Sequence, residues 1–291
     1  MIQETLAPGV VMLQGDCLEI LPRISSVDSI LTDPPYSERM QNGYRDHPLL
    51  RNDGGSQRKT LDFEPINQML EPFLAQVKRI NRGWLLAFAD VTGVGTWQES
   101  LRAHHLKPKA TCIWLKPDAI PQINGQGPAG GFDTIVTAWC GQGLPRWNGG
   151  GKRGIFTHPT NSPERRLIPH PTVKPLSLMK ELVELFTDQD DLVLDPFAGS
   201  ATTGVACIKL QRRFLGIEQN PKYFELACTR LQRTLDDPDF FFQKPKKLVD
   251  SFWRATPSKI PRVPRVPKLT PKTNGLSSAP RHNGKLTLPP T

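Results

Sequence analysis

The 291 residues contain no apolar run near the roughly 18 needed to cross a bilayer as a helix. Met1-Ile2-Gln3-Glu4-Thr5 offers neither a basic region nor an apolar signal core, so a cytoplasmic protein without a membrane partner is expected. Cysteine is sparse and unpatterned. Cys17, Cys112, Cys140, Cys207 and Cys228 form no C-x-x-C pair, which excludes a disulfide framework and a zinc ribbon. Four of them sit in apolar or helical-looking stretches, where a free cysteine acts as a small core residue, and packing is also expected of Cys17, which follows Gly15-Asp16. His47, His104, His105, His158 and His170 make no H-x-x-H or H-E-x-x-H pattern, so no metal site is expected.

Acids are nearly missing from one end. Residues 243–291 hold 11 lysines and arginines against Asp250 alone, a net of +10 within a chain of +9, so residues 1–242 come to −1. Nine prolines fall in the same stretch. Such a segment buries too little to offset its ordering entropy and is expected to sample extended forms. The body has ordinary globular composition, 37% hydrophobic and 22% charged. Two regions follow: a folded domain over 1–242 and a basic, proline-rich tail over 243–291.

Within the body, apolar runs alternate with helical spacing. Strands are predicted at 10–14, 27–33, 84–89, 111–115, 134–140, 192–195 and 213–218. Helices are predicted at 17–21, 66–80 (with Pro72 inside), 96–105, 176–186, 205–210 and 221–235. The alternation argues for an α/β fold.

Two strand ends carry the chemistry. Val27 to Thr32 stops at Asp33-Pro34-Pro35-Tyr36, because proline has no N–H and a fixed φ. A carboxylate, a rigid turn with free carbonyls and an aromatic ring therefore collect at a strand's carboxyl end, where open α/β sheets bind ligands. A carboxylate beside a carbonyl can accept two hydrogen bonds from an amino group, and a tyrosine can stack on a flat base. The second end is Leu192-Val193-Leu194-Asp195-Pro196-Phe197-Ala198-Gly199-Ser200, a glycine-bearing turn leading into a helix. The next strand ends in Glu218, 19 residues after Gly199, near the spacing of an acid that accepts ribose hydroxyls. The turn lacks G-x-G-x-x-G, so a nucleoside without a pyrophosphate fits better than a dinucleotide.

Two further stretches stand apart. Residues 37–60 are polar and long for a loop, and are read as a flap beside Asp33. Residues 141–174 hold Arg146, Lys152, Arg153, Arg165, Arg166 and Lys174 against Glu164, interleaved with Trp147, Phe156, His158 and His170. That mixture suits either a surface that contacts phosphates and stacks bases or a solvated loop.

Together, the two strand ends resemble those of the S-adenosylmethionine-dependent amino-methyltransferases of DNA. Asp33-Pro34-Pro35-Tyr36 resembles that family's catalytic motif. Asp195-Pro196-Phe197-Ala198-Gly199-Ser200 resembles its cofactor motif, and Glu218 its ribose-binding acid. Gly15-Asp16-Cys17 is similar to the segment that reaches the adenine, and Thr172-Val173-Lys174-Pro175 to the lead-in near the methionine end. The catalytic motif comes first, which is the permuted order of the family's beta group. Over residues 10 to 235 the resemblance implies a Rossmann-like methyltransferase fold with a doubly wound, mostly parallel sheet. The Asp33 and Asp195 strands are expected side by side, with a DNA-recognition segment at about 141–174. One departure is Ala201, where the family usually has glycine.

The resemblance implies S-adenosylmethionine as cofactor and double-stranded DNA as partner. It is compatible with a monomer or one half of a homodimer, and with a partner nuclease in a restriction–modification pair. The implied reaction flips the target base out of the duplex, stacks it on Tyr36, and draws its amine to Asp33 and the Pro34 carbonyl. Asp in the first position leans towards N6 of adenine, with N4 of cytosine as the nearest alternative. A catalytically dead scaffold that binds DNA is the competing class.

Overall fold

Val, Ile, Leu and Phe dominate the predicted strands, and in the computed structural model these runs become the middle of one sheet. The structure describes residues 2–35, 66–119, 127–128, 130–161, 168 and 173–236. The chain divides after Gln243, and every described residue lies in the first unit. The expected flap at 37–60, the tail at 243–291, Tyr36, Arg165, Arg166 and His170 lie outside the described residues.

In chain order the strands are β1 (Ile2–Ala7), β2 (Val10–Gln14), β3 (Ser29–Thr32), β4 (Trp84–Ala89), β5 (Lys107–Pro108), β6 (Cys112–Leu115), β7 (Phe132–Trp139), β8 (Ile155–Thr157), β9 (Leu192–Asp195) and β10 (Arg213–Glu218). The helices are α1 (Cys17–Ile20), α2 (Ile66–Ile80), α3 (Val94–Ala103), α4 (Leu176–Phe186), α5 (Thr202–Lys209) and α6 (Pro221–Asp236). Across the sheet the order is β1-β2-β10-β9-β3-β4-β7-β6-β8, with β5 also on β7. The five central strands, β2 to β4 in that order, are mutually parallel. The β1, β5 and β7 pairings are antiparallel, and β8 lies parallel to β6.

Parallel strands buried on both faces need apolar residues at consecutive positions, and β4 (Trp-Leu-Leu-Ala-Phe-Ala) is buried throughout. Trp84, Leu86 and Phe88 enter one core with Leu178, Leu182, Phe186, Val205 and Phe224 from α4, α5 and α6. Leu85, Ala87 and Ala89 enter the other with Phe73, Val77, Trp97 and Leu101 from α2 and α3. Helices thus cover both faces. From β3 the chain proceeds through α2 to β4 on one side. From β9 it proceeds through α5 to β10 on the other. The seam between β3 and β9 is therefore the switch point of the sheet, where α/β folds open a ligand crevice.

Expected elements and observed ones differ at several bounds, among them the start of α5 (Thr202 rather than 205) and of β7 (Phe132 rather than 134). The strand predicted at 27–33 is ordered only over Ser29–Thr32, with Val27 making an isolated bridge to Asn81. The helix predicted at 96–105 occupies Val94–Ala103, and the chain then turns through a left-handed His105 (φ 56°). β1, β5 and β8 went unpredicted, since Ile2–Ala7 is largely exposed and the other two span two and three residues. Among the described residues no helix is long and apolar enough to cross a membrane.

Candidate active site

The carboxyl ends of β2, β10, β9 and β3, neighbours in that order, are followed by or end in Asp16, Glu218, Asp195 and Asp33. The parallel register Ser29↔Val193 and Ile30↔Leu194 sets the two motif strands edge to edge. The predicted carboxylates therefore line one rim of the sheet, and each has a distinct set of partners.

Asp195 is an organiser of the turn. Its Oδ1 accepts the Thr32 hydroxyl at 2.8 Å and the Phe197 N–H at 3.2 Å, and its Oδ2 accepts the Thr203 hydroxyl at 2.6 Å. Burial pushes its pKa up to about 6 against these donors. Both oxygens are thus taken up inside the protein, tying β9 to β3 and to the start of α5. Thr32 and Thr203 were not anticipated, although Thr32 adjoins Asp33 in the sequence and its position on the strand was the available signal.

Glu218 staples two turns. Its Oε2 accepts the Gly199 N–H and its Oε1 the Asn220 N–H, each at 2.8 Å. Its own carbonyl accepts the Gly15 N–H at 3.1 Å. Burial raises its pKa while the backbone donors hold it down. A carboxylate oxygen has lone pairs beyond one backbone bond, so both can still take hydroxyl donors.

Gly199 and Ala201 both lie in the left-handed region, at φ 51° and 56°. That geometry explains the glycine usual at the second position, since a Cβ there costs roughly 1–2 kcal/mol. Ala201 is fully buried and packs in the core beside α5, so its methyl group is accommodated in place. Arg230 of α6 clamps the turn: its Nη1 donates to the Ser200 carbonyl at 2.9 Å and to the Thr202 hydroxyl at 2.8 Å. Nothing in the sequence separates Arg230 from the other charges of α6.

Asp16 caps α1, accepting the Leu18 N–H at 2.7 Å. The next residue, Cys17, turns inward to the core, and burial raises its thiol to about 12. Its side chain is a packing group. Pro196 is buried, and the half-buried Phe197 lies 5.9 Å from the Phe73 ring.

Asp33 closes the rim on the β3 side. Its Oδ2 pairs with the ammonium of the buried Lys174, which also lies 4.8 Å from the centre of the Phe88 ring. Its Oδ1 is covered and has no hydrogen-bond partner among the described residues. Burial raises its pKa above the ordinary value, with Lys174 opposing. Pro34 is buried beside it, and Pro35 is half-buried.

Within residues 141–161 of the expected recognition segment, the reading of the aromatic rings requires a correction. Trp147 packs edge-on against Phe186 (4.8 Å between ring centres), and Phe156 is 1% exposed in the core. The Phe156 ring is not presented for base stacking, and the half-buried Trp147 ring makes an edge contact with Phe186. Arg146 pairs with Asp188 at 2.7 Å, and Lys152 and His158 both pair with Glu181 of α4. Interleaving in sequence did not distinguish inward from outward rings, because β8 alternates its side chains across the sheet. Arg153 remains exposed.

A glycine-bearing turn and an acceptor-bearing strand end, adjacent at the switch point of a doubly wound sheet, fit a Rossmann-like methyltransferase fold. A family model described as DNA methylase matches residues 137–229. Over those residues the chain is similar to the amino-methyltransferases of DNA. Among relatives, it is 27% identical over 245 residues to the type II methyltransferase M2.MboI of Moraxella bovis, covering 75% of this chain and 85% of that one. It is 26% identical over 268 residues to M.HinfI of Haemophilus influenzae, covering 78% and 70%. The M1.HpyAVI–SAM complex shares its fold, with a TM-score of 0.60 at 24% identity over 76% of this chain and 98% of that one. So does the cytosine-N4-specific PvuII DNA methyltransferase, with a TM-score of 0.58 at 16% identity over 81% and 86%.

Proposed function

We propose that the protein methylates the exocyclic N6 amine of adenine in duplex DNA, using S-adenosylmethionine. The observation that carries the reading is the covered, unpartnered Oδ1 of Asp33, one strand away from the Asp195 turn. Desolvating an acceptor without satisfying it is costly, and an amine hydrogen is the donor that would satisfy it.

The residues present suit the cofactor. A turn opened by left-handed Gly199 lets backbone approach a ligand closely. Glu218, held by two backbone N–H groups, keeps lone pairs for ribose hydroxyls, and Asp16 stands on the next strand end. When bound, S-adenosylmethionine supplies an electrophilic methyl group on a sulfonium.

The protein's own part is to prepare the amine. An exocyclic amine is a poor nucleophile because its lone pair is delocalised into the ring. Asp33 Oδ1 and the Pro34 carbonyl accept its two hydrogens and draw the nitrogen towards tetrahedral geometry, which returns the lone pair to nitrogen. The proton shed after methylation is held first at Asp33. Orientation at the seam supplies much of the acceleration. Removing the base from the duplex costs a few kcal/mol, offset by stacking on Tyr36. The basic residues of 243–291 hold the DNA backbone without reading sequence, while the recognition segment lies within about 141–174.

The test is incorporation of labelled methyl into unmethylated bacterial DNA, followed by nucleoside mass analysis. N6-methyladenine is expected. N4-methylcytosine would keep the mechanism and correct the base, while bound cofactor with no labelled DNA would overturn the substrate. Asp33→Ala is expected to bind cofactor and lose transfer.

A further inference from the structure

Lys174 is 8% exposed, an unusual burial for an ammonium, and its charge is compensated at the catalytic strand end. It pairs with Asp33 Oδ2 and sits 4.8 Å from the centre of the Phe88 ring. The backbone just before Asp33 is anchored separately, by the Thr32 hydroxyl on Asp195. The carboxylate is thus gripped at one oxygen, while Oδ1 stays covered and unpartnered.

Among the described residues, four charged groups act on Asp33. Lys174 is the strongest, followed by Asp133 of β7 and Lys116 just after β6, with Asp195 on the neighbouring strand. Lys116 and Asp133 pair with each other at 2.5 Å, so their fields largely cancel. Asp195 is an acid and can only disfavour a second negative charge. The charge and orientation of Asp33 therefore depend on Lys174.

We propose that Lys174 is a positioning residue of the methyl transfer: it holds Asp33 by Oδ2, keeps the carboxylate ionised inside the fold, and leaves Oδ1 open to one hydrogen of the target amine. The proposal rests on the reading of Asp33 as the amine's acceptor. It moves Lys174 from the methionine end of the cofactor, where resemblance alone puts it, to the catalytic carboxylate.

The experiment compares wild type, Lys174→Met and Lys174→Arg in single-turnover transfer to duplex DNA across pH at saturating cofactor, with cofactor affinity measured by calorimetry. Lys174→Met is expected to lose roughly a hundredfold in rate, the penalty of a misplaced reacting group. Its acid limb should move up by about 1–3 pH units, because an adjacent cation no longer favours the carboxylate. Cofactor affinity should not change. Lys174→Arg keeps a cation, so its acid limb should stay at the wild-type position while its rate falls. An unmoved acid limb in Lys174→Met would overturn the proposal, as would weakened cofactor binding with full rate at saturation. Should Lys174→Met fail to fold, Lys174→Arg decides: a lowered rate with unchanged cofactor affinity supports the proposal, and the reverse pattern overturns it. A wild-type protein that binds cofactor and labels no DNA would refute the functional reading itself, and this is seen before any variant is compared.

Discussion

The hydroxyl of Thr32 donates to Oδ1 of Asp195 at 2.8 Å, across 163 positions of sequence. One residue precedes the proposed catalytic aspartate and the other opens the turn proposed to hold the cofactor, so a single buried bond sets the spacing between the halves of the candidate site. Proximity effects depend on such spacing to within about an ångström.

Thr32→Val keeps the shape and removes the donor. Asp195 Oδ1 is left with the 3.2 Å bond from Phe197 alone. A buried group that loses a partner costs about 1–3 kcal/mol, so the urea midpoint should fall with an unchanged slope. Cofactor affinity should fall with it. A midpoint equal to wild type would show that the bond adds no stability.

Asp195 also gives the fold a pH signature. Its carboxyl is raised from 3.8 to about 6 by burial. Below the lower value it is protonated whether folded or unfolded, and its burial carries no charge penalty. Between the two the unfolded chain ionises first, so stability is lost as pH rises through about 6 and is flat above it. The loss is about 3 kcal/mol at most. Measured against Asp195→Asn, whose amide does not titrate, wild-type stability should decline over that window. A constant difference between the two proteins would contradict the assignment.

Position 201 separates an active enzyme from a dead scaffold. Ala201→Gly relieves roughly 1–2 kcal/mol of left-handed strain and forfeits roughly 0.8 kcal/mol of buried methyl. The balance is a gain of about 1 kcal/mol at most, so stability should rise slightly and cofactor affinity should barely change. Ala201→Val puts a branched side chain where the backbone is left-handed and the residue fully buried. It should lose cofactor binding in calorimetry and unfold at lower urea. A large gain in cofactor affinity from glycine would mean that the alanine impairs the site.

Trimming the chain after Phe242 removes ten net positive charges. DNA affinity should weaken, and the dependence of log K on log salt should flatten by about 0.9 for each phosphate no longer neutralised. The rate at saturating DNA should persist. A salt slope equal to that of the full chain would deny the tail its role.

Much of this site was legible because prolines and glycines punctuate it. Pro34 ends β3, Gly199 opens the turn, and the apolar periods of 176–186 and 213–218 coincide with α4 and β10. What escaped were partners brought from afar. Thr203 and Arg230 look ordinary in sequence and acquire meaning only where α5 and α6 meet the turn. The tryptophan and phenylalanine at 147 and 156 misled for the opposite reason. Their setting among basic residues reads as a surface, while packing against Phe186 and the core decides their direction. Lys174 was placed in the site by its neighbours in the chain, but its partner is Asp33, 141 positions away.

The order of strands also governs how the chain can be assembled. β2 touches no early strand except β1, because the late strands β10 and β9 stand between it and β3. Synthesis therefore delivers two fragments of sheet that cannot join until residues 192–218 have been made. Those residues then enter as a central wedge with both edges already waiting. Pairings so distant in sequence are slow to form and leave strand edges exposed meanwhile. A chain ending near residue 190 would hold the Asp33 motif and lack the wedge, and aggregation rather than partial activity is its expected fate.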